Sequence, residues 1–253
     1  MLLTLSLLFI VALVSGYVDA IAGGGGLLTV PALLLTNLSD TAALGTNKGQ
    51  AVFGVASSLY RYACSPLLDR RRALVSFVAG FVGSVGGTVA VIYCGSRFGQ
   101  YLRPVVMVML GSVALVMLFQ QLPDHVQPGR HRAWGLVLLV AAVLGFYDGF
   151  FGPGTGMFLI MAYAWLWREA LDRASANAKV VNCASNLGSM LTFLVRGLIV
   201  WKYAMPMAVG QIIGGWLGAR TVVTGGRKVV RVFVILMSMA LLARLAWRVW
   251  LGR

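Results

Sequence analysis

Residues 16–26 read GYVDAIAGGGG, and residues 145–156 read GFYDGFFGPGTG. Both stretches sit in apolar sequence, and both place one aspartate ahead of a glycine run, so the chain repeats itself around a helix that glycine breaks. A second match follows in each copy, where GTNKGQAVFGVASS (45–58) aligns with ANAKVVNCASNLGSM (176–190). Lys48 then falls on Lys179 at an offset of 131 residues, and Asp19 falls on Asp148 at 129. One extra residue in the second glycine loop absorbs half of that difference. At offset 131, Ala79, Gly83 and Gly87 also fall on Gly210, Gly214 and Gly218. Three landmarks in one register mark an internal duplication.

The composition assigns the solvent. With 253 residues, 59% hydrophobic, only 11% charged and a mean hydropathy of +0.86, the chain is unlike a soluble domain, in which charged residues alone make up roughly a quarter. The net charge of +14 does not indicate nucleic acid, because the basic residues lie in short loops between apolar runs instead of on one face. Juxtamembrane Arg and Lys account for it. Cys64, Cys94 and Cys183 lie in separate apolar runs without CxxC spacing, and His125 and His131 share one Pro/Gly/Arg-containing loop. Neither a metal site nor a cofactor is expected, and the cysteines read as small buried apolar residues. The first apolar run ends in Ala20-Ile21-Ala22, which resembles a signal-cleavage site. The absence of a basic start and the internal recurrence of the segment oppose cleavage.

Apolar runs long enough to span cover 2 to 20, 48 to 66, 73 to 94, 104 to 120, 133 to 151, 179 to 197, 203 to 222 and 232 to 251. A short one follows the first of each half, at 26 to 36 and 156 to 167, well under the roughly 20 residues that cross about 30 Å of hydrocarbon. The expected fold is an all-α polytopic integral membrane protein made of two homologous repeats with broken or half-length helices. Repeat one covers 1–122, a linker 123–132, and repeat two 133–253. Counting the short runs as crossings gives five per half and collects twelve basic residues, Arg70, Arg71 and Arg72 among them, on one side against seven on the other. That count favours inverted repeats with the Arg70 side cytoplasmic. The Gly-xxx-Gly stripes at Gly83 to Gly87 and Gly210 to Gly218 serve close helix packing.

The chemistry gathers at the breaks. Unwound backbone in a bilayer leaves N–H and C=O groups unpaired, so it persists only where it lines a cavity or is packed by neighbours. Paired breaks at matching places in two halves point to a substrate site, and the helix N-termini after Gly26 and Gly156 suit an anion. The competing reading is that the glycines only permit tight crossing, which Pro153 argues against by breaking the helix outright. A nucleotide-binding glycine loop is excluded, because no strand precedes either run and no Gly-Lys-Ser/Thr closes it.

Asp19 and Asp148 are the acids of the long apolar runs, and three roles remain open for them: carrying protons, pairing with Lys48 and Lys179, or capping the broken helix. Each lysine begins a long apolar run, where its charge opposes the helix dipole and an anion partner would resolve the conflict; an ordinary interfacial lysine is the alternative. Lys179, Asn182, Asn186 and Ser189 recur on one helical face, against Lys48, Ala51, Val55 and Ser58 in the first half. The second half therefore offers more hydrogen bonds to a polar ligand, unless the amides merely tie helices together. Candidate substrate-binding residues are Gly23, Gly24, Gly25, Gly26, Thr46, Asn47, Lys48 and Ser58 in the first half. In the second they are Gly152, Gly154, Thr155, Gly156, Lys179, Asn182 and Asn186. The expected position of the substrate is nearer Gly152 to Gly156 than Gly23 to Gly26.

GxxDAIAGGGGLLTVPALL, ALGTNK, the second DG-F-GPGTG loop and ANAKVVNxASN together resemble the sulfite exporter TauE/SafE family of bacterial permeases, over nearly the whole chain and in order. The resemblance implies a duplicated multispan inner-membrane permease for small sulfur-containing anions such as sulfite and organosulfonates. Acceptor-only oxygens of that kind match the donors the motifs supply. The expected partners are a small anion and the lipid bilayer, with a homo-oligomer compatible and nucleic acid excluded. A permease subunit for another small organic anion is the alternative. An intramembrane enzyme would need a catalytic set such as HExxH, which the sequence lacks.

Overall fold

The computed structural model describes residues 1–93 and 134–250. Within them the chain forms α1 (Leu2–Ala22), α2 (Gly26–Leu34), α3 (Asp40–Ala63), α4 (Arg70–Tyr93), α5 (Trp134–Phe150), α6 (Thr155–Leu166), α7 (Leu171–Val195) and α8 (Trp201–Trp250). Gly226, at φ 62° and ψ −159°, divides α8 into two helical segments, in agreement with the runs read at 203 to 222 and 232 to 251. The run 104 to 120, the linker 123–132, both histidines and Cys94 lie outside the described residues.

The half-length helices form as expected. At 1.5 Å per residue, α2 with 9 residues and α6 with 12 reach about 14 and 18 Å, well short of a bilayer core of about 30 Å. Left-handed glycines make the breaks: Gly23 ends α1 at φ 75°, and Gly152 and Gly154 turn the chain into α6 at φ 91° and 86°. The second half-helix starts at Thr155, ahead of the Gly156 position read from sequence, because Gly154 supplies the left-handed N-cap.

Two expectations need correction. Lys48 and Lys179 do not begin their helices: each lies eight residues into one, α3 from Asp40 and α7 from Leu171. Hydropathy marks only apolar sequence, so the polar first turns DTAALGTN and LDRASANA read as loop although they are helical. The conflict with the dipole therefore disappears, and so does the interfacial reading, since both lysines are buried. The set of eight long apolar spans also shrinks. Among the described residues, α1 and α4 are long and apolar enough to cross a membrane, and α5 and α6 are shorter apolar helices. The length of α3 and α7, 24 and 25 residues, suffices, but their polar residues face inward and lower the apolar average. Cys183 is buried as expected, whereas Cys64 is exposed.

The two halves exchange helices. A methyl group built on Gly214 would lie 2.0 Å from the Leu13 carbonyl oxygen, and one on Gly218 2.4 Å from that of Tyr17. The same contacts recur between the other two elements: Gly83 would meet the Ala142 oxygen at 2.2 Å and Gly87 the Phe146 oxygen at 2.0 Å. So α1 packs on α8 and α5 packs on α4, each first helix lying against the fourth helix of the opposite half. Both pairs run parallel, since the contact numbers rise together. Glycine allows the carbonyl of one helix to touch the backbone of the next.

Side chains repeat the exchange. Asn177 Oδ1 accepts from the Asp69 N–H at 2.8 Å, just before α4, and Thr46 Oγ1 accepts from the Val200 N–H at 3.0 Å, just before α8. These partners correspond at offset 131. Thr46 thus holds a helix start and is not among the residues that line the cavity described below. The two ends differ in chemistry. At one, Arg72 bonds Asp69 at 2.6 Å, also pairs with Glu169, and lies over the Tyr163 and Trp167 rings. Burial pushes the Asp69 carboxyl up, but the Arg72 guanidinium and the Arg71 and Arg72 N–H groups outweigh it and hold the carboxyl below its usual range. Its contribution is therefore present at neutral pH and fades in acid as the carboxylate takes up its proton. At the other end the corresponding Tyr203 and Leu38 pack on Leu8, Leu33 and Met207.

Apolar side chains cover much of the described exterior, and several polar ones lie buried beside the apolar core. Leu3, Leu7, Ile10 and Val14 of α1, Leu139 and Val143 of α5, and Val209 and Ile213 of α8 are exposed, while Thr46, Lys48, Gln50, Asp148, Lys179 and Gln211 are buried. The close glycine contacts yield a direct test. Gly214→Ala should lower the thermal unfolding temperature of the detergent-solubilised protein. Gly135→Ala, whose methyl group meets nothing within 4 Å, should leave it level or raise it, by up to about 1 kcal/mol of helix propensity.

Candidate functional site

The glycine loops meet at the centre of the molecule. A methyl group on Gly23 would lie 2.2 Å from the Gly156 carbonyl carbon, and one on Gly156 would lie 2.5 Å from the Gly23 Cα. No side chain fits between them. Each loop is held by its own half: Asp19 Oδ1 accepts the Gly25 N–H at 3.1 Å and Ser15 donates to the Gly25 carbonyl at 2.8 Å. In the second loop Tyr147 donates to the Pro153 carbonyl at 3.0 Å and Thr155 to the Gly152 carbonyl at 2.7 Å.

The ion pairs cross between the halves. Lys48 Nζ lies 2.8 Å from Asp148 Oδ2, with both side chains 3% exposed. Lys179 Nζ lies 2.7 Å from Asp19 Oδ2, at 1% and 15% exposure. Lys48 also abuts the second loop, since a methyl group on Gly152 would lie 3.2 Å from its Nζ. Burial of one such charge alone costs several kcal/mol, so each acid is the condition for its lysine. Ion pair and loop cap, two of the three roles left open for the acids, are both realised at Asp19.

The surroundings of the two acids are unequal. Asp148 Oδ2 also accepts from Ser185 Oγ at 2.5 Å and from Asn186 Nδ2 at 3.3 Å. Asn186 bonds Asn182 Oδ1 at 2.6 Å, so the amide stripe of α7 forms one connected set with this acid. Ser189, the last member of the stripe, is buried without a hydrogen-bond partner among the described residues. In α3, Asn47 Oδ1 accepts from Thr29 at 2.5 Å and from Gln50 at 3.0 Å.

A cavity of about 30 Å³ lies among these groups, enough for roughly two water molecules. Its lining includes Asp19, Gly23, Gly25, Gly26, Asn47 and Lys48 from the first half and Asp148, Gly152, Gly154, Gly156, Asn182 and Asn186 from the second. Three glycines come from each loop, so the geometry gives the second loop no precedence. Of the other candidates, Gly24, Thr155 and Lys179 stand behind the lining, the last as the partner of Asp19. Ser58 is directed back to the Val55 carbonyl of its own helix at 2.9 Å. The lining adds Thr29, Ala51, Val55 and Gln211. Gln211 Nε2 donates to Ser15 at 3.1 Å, joining α8 to the first loop. A lone amide in the apolar run 203 to 222 was the available signal for it, under the rule that singles out intramembrane acids. Thr29 and Ser15 carried no comparable signal.

The arrangement defines a class: a protein helical throughout its described residues, with a polar site where its two glycine loops meet and many apolar side chains on its exterior. The family model described as Sulfite exporter TauE/SafE matches residues 8–245, and the chain belongs to that family. It is 38% identical over 244 residues to a probable membrane transporter protein of Haemophilus influenzae, covering 96% of this chain and 94% of that one. The probable membrane transporter protein YfcA of Escherichia coli K12 is 34% identical over 245 residues, with 97% and 90% covered. The probable membrane transporter protein ORF9 of a Sinorhizobium species is 33% identical over 256 residues, with 98% and 97% covered. No solved structure matches.

Lys48→Met should destabilise the protein by about 3–5 kcal/mol, because it leaves the Asp148 charge buried. Adding Asp148→Asn, which keeps an acceptor for Ser185, should recover most of the loss in the same thermal assay. Equal stability of the single and double variants would show that the pair is not coupled.

Proposed function

We propose that the protein is a secondary transporter that moves a small sulfur-containing anion, such as sulfite or an organosulfonate, across the bacterial inner membrane. One observation carries this reading: two lysine–aspartate pairs cross between the halves and close on the two glycine loops around a single cavity. Backbone N–H groups at the starts of α2 and α6, two ammonium groups and the Asn182–Asn186 amides are donors, as an acceptor-only anion requires. Family membership and the transporter names of the relatives point the same way.

The polytopic, inverted-repeat architecture belongs to this proposal, with units 1–122 and 133–253. Its support is directional. Contacts of Gly45 with Leu198 and of Gly54 with Gln211 run α3 parallel to α8, while the short turn 196–200 reverses the chain between α7 and α8. Corresponding helices α3 and α7 therefore run in opposite directions, as inverted repeats require. The apolar exterior is the surface a bilayer accepts. A central site reached from either face by rocking one half against the other is the mechanism such duplication supports. A cavity with room for two waters is smaller than these anions, so entry requires the loops and pairs to shift.

Purified protein in liposomes should take up labelled sulfite or sulfoacetate without a partner protein. Absence of flux for every anion in a broad panel, with or without a pH gradient, overturns the transporter reading. A panel in which only carboxylates move favours the alternative of a permease for another organic anion. At matched expression, Lys179→Ala should reduce uptake at least tenfold, whereas Trp201→Ala should leave it within about twofold. Equal loss in both points to a folding defect instead of a binding site.

A further inference from the structure

We propose that Asp19 is the proton-carrying residue of this site, and that the anion and one proton bind together. The inference rests on the transporter reading and starts from charge balance. Asp19, Asp148 and Lys48 line the cavity and Lys179 pairs with Asp19; the four sum to zero, and among the described residues no other charged one lines the cavity. An anion entering this neutral site meets two carboxylates at close range, in surroundings where charges are weakly screened. It gains a cationic partner only if one carboxylate loses its charge.

The geometry separates the two acids. Asp148 Oδ2 receives three side-chain donors, Lys48, Ser185 and Asn186, and is 3% exposed. Asp19 has two, Lys179 on Oδ2 and the Gly25 N–H on Oδ1, and its side chain is 15% exposed beside the cavity. The charged and titratable groups around Asp19 are Lys179 from α7, Lys48 and Tyr62 from α3, and Asp148 from α5; α8 presents the neutral Gln211. No other acid among the described residues faces the cavity.

Protonation of Asp19 does two things in one step. The proton, taken from water on the side the anion enters, adds to the carboxylate oxygen facing Lys179. The ammonium group then loses its counter-charge, and the Gly25 N–H bonds a weaker acceptor. Both donors turn to the anion, which restores neutrality, and release of the anion returns Lys179 to Asp19 and expels the proton. For a singly charged anion the charge of the site is the same empty and loaded, so neither state strands a charge in the protein interior. Asp148 keeps its bonds to Lys48, Ser185 and Asn186 throughout and fixes Lys48 against the second loop.

The test uses the full-length protein in liposomes loaded with a pH-sensitive dye, with a singly charged alkanesulfonate as the probe. Wild-type uptake should acidify the lumen, and an imposed gradient, acid outside, should accumulate the anion about tenfold per pH unit for one proton per anion. Asp19→Asn should abolish that accumulation, leaving only exchange that ignores the pH gradient, while Asp19→Glu should restore it. Accumulation in Asp19→Asn that follows the gradient as in the wild type overturns the proposal. Should Asp19→Asn fail to fold, proton uptake by the solubilised wild type on adding anion decides: about one proton per bound anion supports it, and none overturns it. Wild-type anion flux without proton movement defeats the coupling and leaves the transporter reading standing. Absence of anion flux defeats both.

Discussion

A lysine ammonium buried to 1% exposure keeps its charge only beside an opposite charge, and Lys179 finds that charge in the other half of the chain. Lys48 does the same in the reverse direction. Because the pairs cross, neither half can satisfy its own charges, and docking of the halves is what makes each one electrostatically complete. The glycine loops are drawn in by the same contacts: Asp19 holds Gly25, and Lys48 lies against Gly152. Close passage of Gly23 over Gly156 then leaves a space bounded by backbone and by Asp19, Lys48 and Asp148, with Lys179 paired to Asp19. Breaking one pair strands a buried charge and loosens a loop together, so stability and site geometry are tied.

Exchange extends from the centre to both ends. Glycine stripes bring α1 onto α8 and α5 onto α4 in matching registers, and Asn177 and Thr46 hold the starts of α4 and α8 across the same boundary. The ends differ only in what closes them. Arg72 with Glu169 and Asp69 forms an ionic contact at one, and Tyr203 with Leu38 packs on an apolar cluster at the other. Among the described residues the backbone contacts match in pairs while the side chains around them differ. The difference recurs at the acids, where Asp148 is embedded in the α7 amides and Asp19 is open to the cavity.

Much of this was legible in the sequence for a physical reason: charge and glycine are so unfavourable in apolar helices that each instance signals something. Asp19, Asp148, Lys48, Lys179 and the broken helices stood out on that ground, and the structure brings the four charges together. The helix starts of α3 and α7 did not, because hydropathy cannot distinguish a polar buried helix from a loop. That error placed the lysines at helix ends and gave them a conflict with the dipole that does not exist. Which lysine serves which aspartate depends on the packing of distant elements, and spacing within one half carries no information about it. Thr46 stands beside Lys48 in the motif and Ser58 shares its helical face, yet one bonds a helix start and the other its own helix. Gln211 was missed because it lies far from the motifs in sequence and enters the lining only through the contact of α8 with α1 and α3.

The central claim is that an anion binds where the two glycine loops meet, between the crossed pairs. Structure determination of the full-length protein with sulfite bound tests it most directly. The account predicts an anion between Gly23–Gly26 and Gly152–Gly156, bonded by backbone N–H groups and by Lys179 drawn away from Asp19. An anion bound elsewhere, with both lysine–aspartate pairs intact, would contradict it.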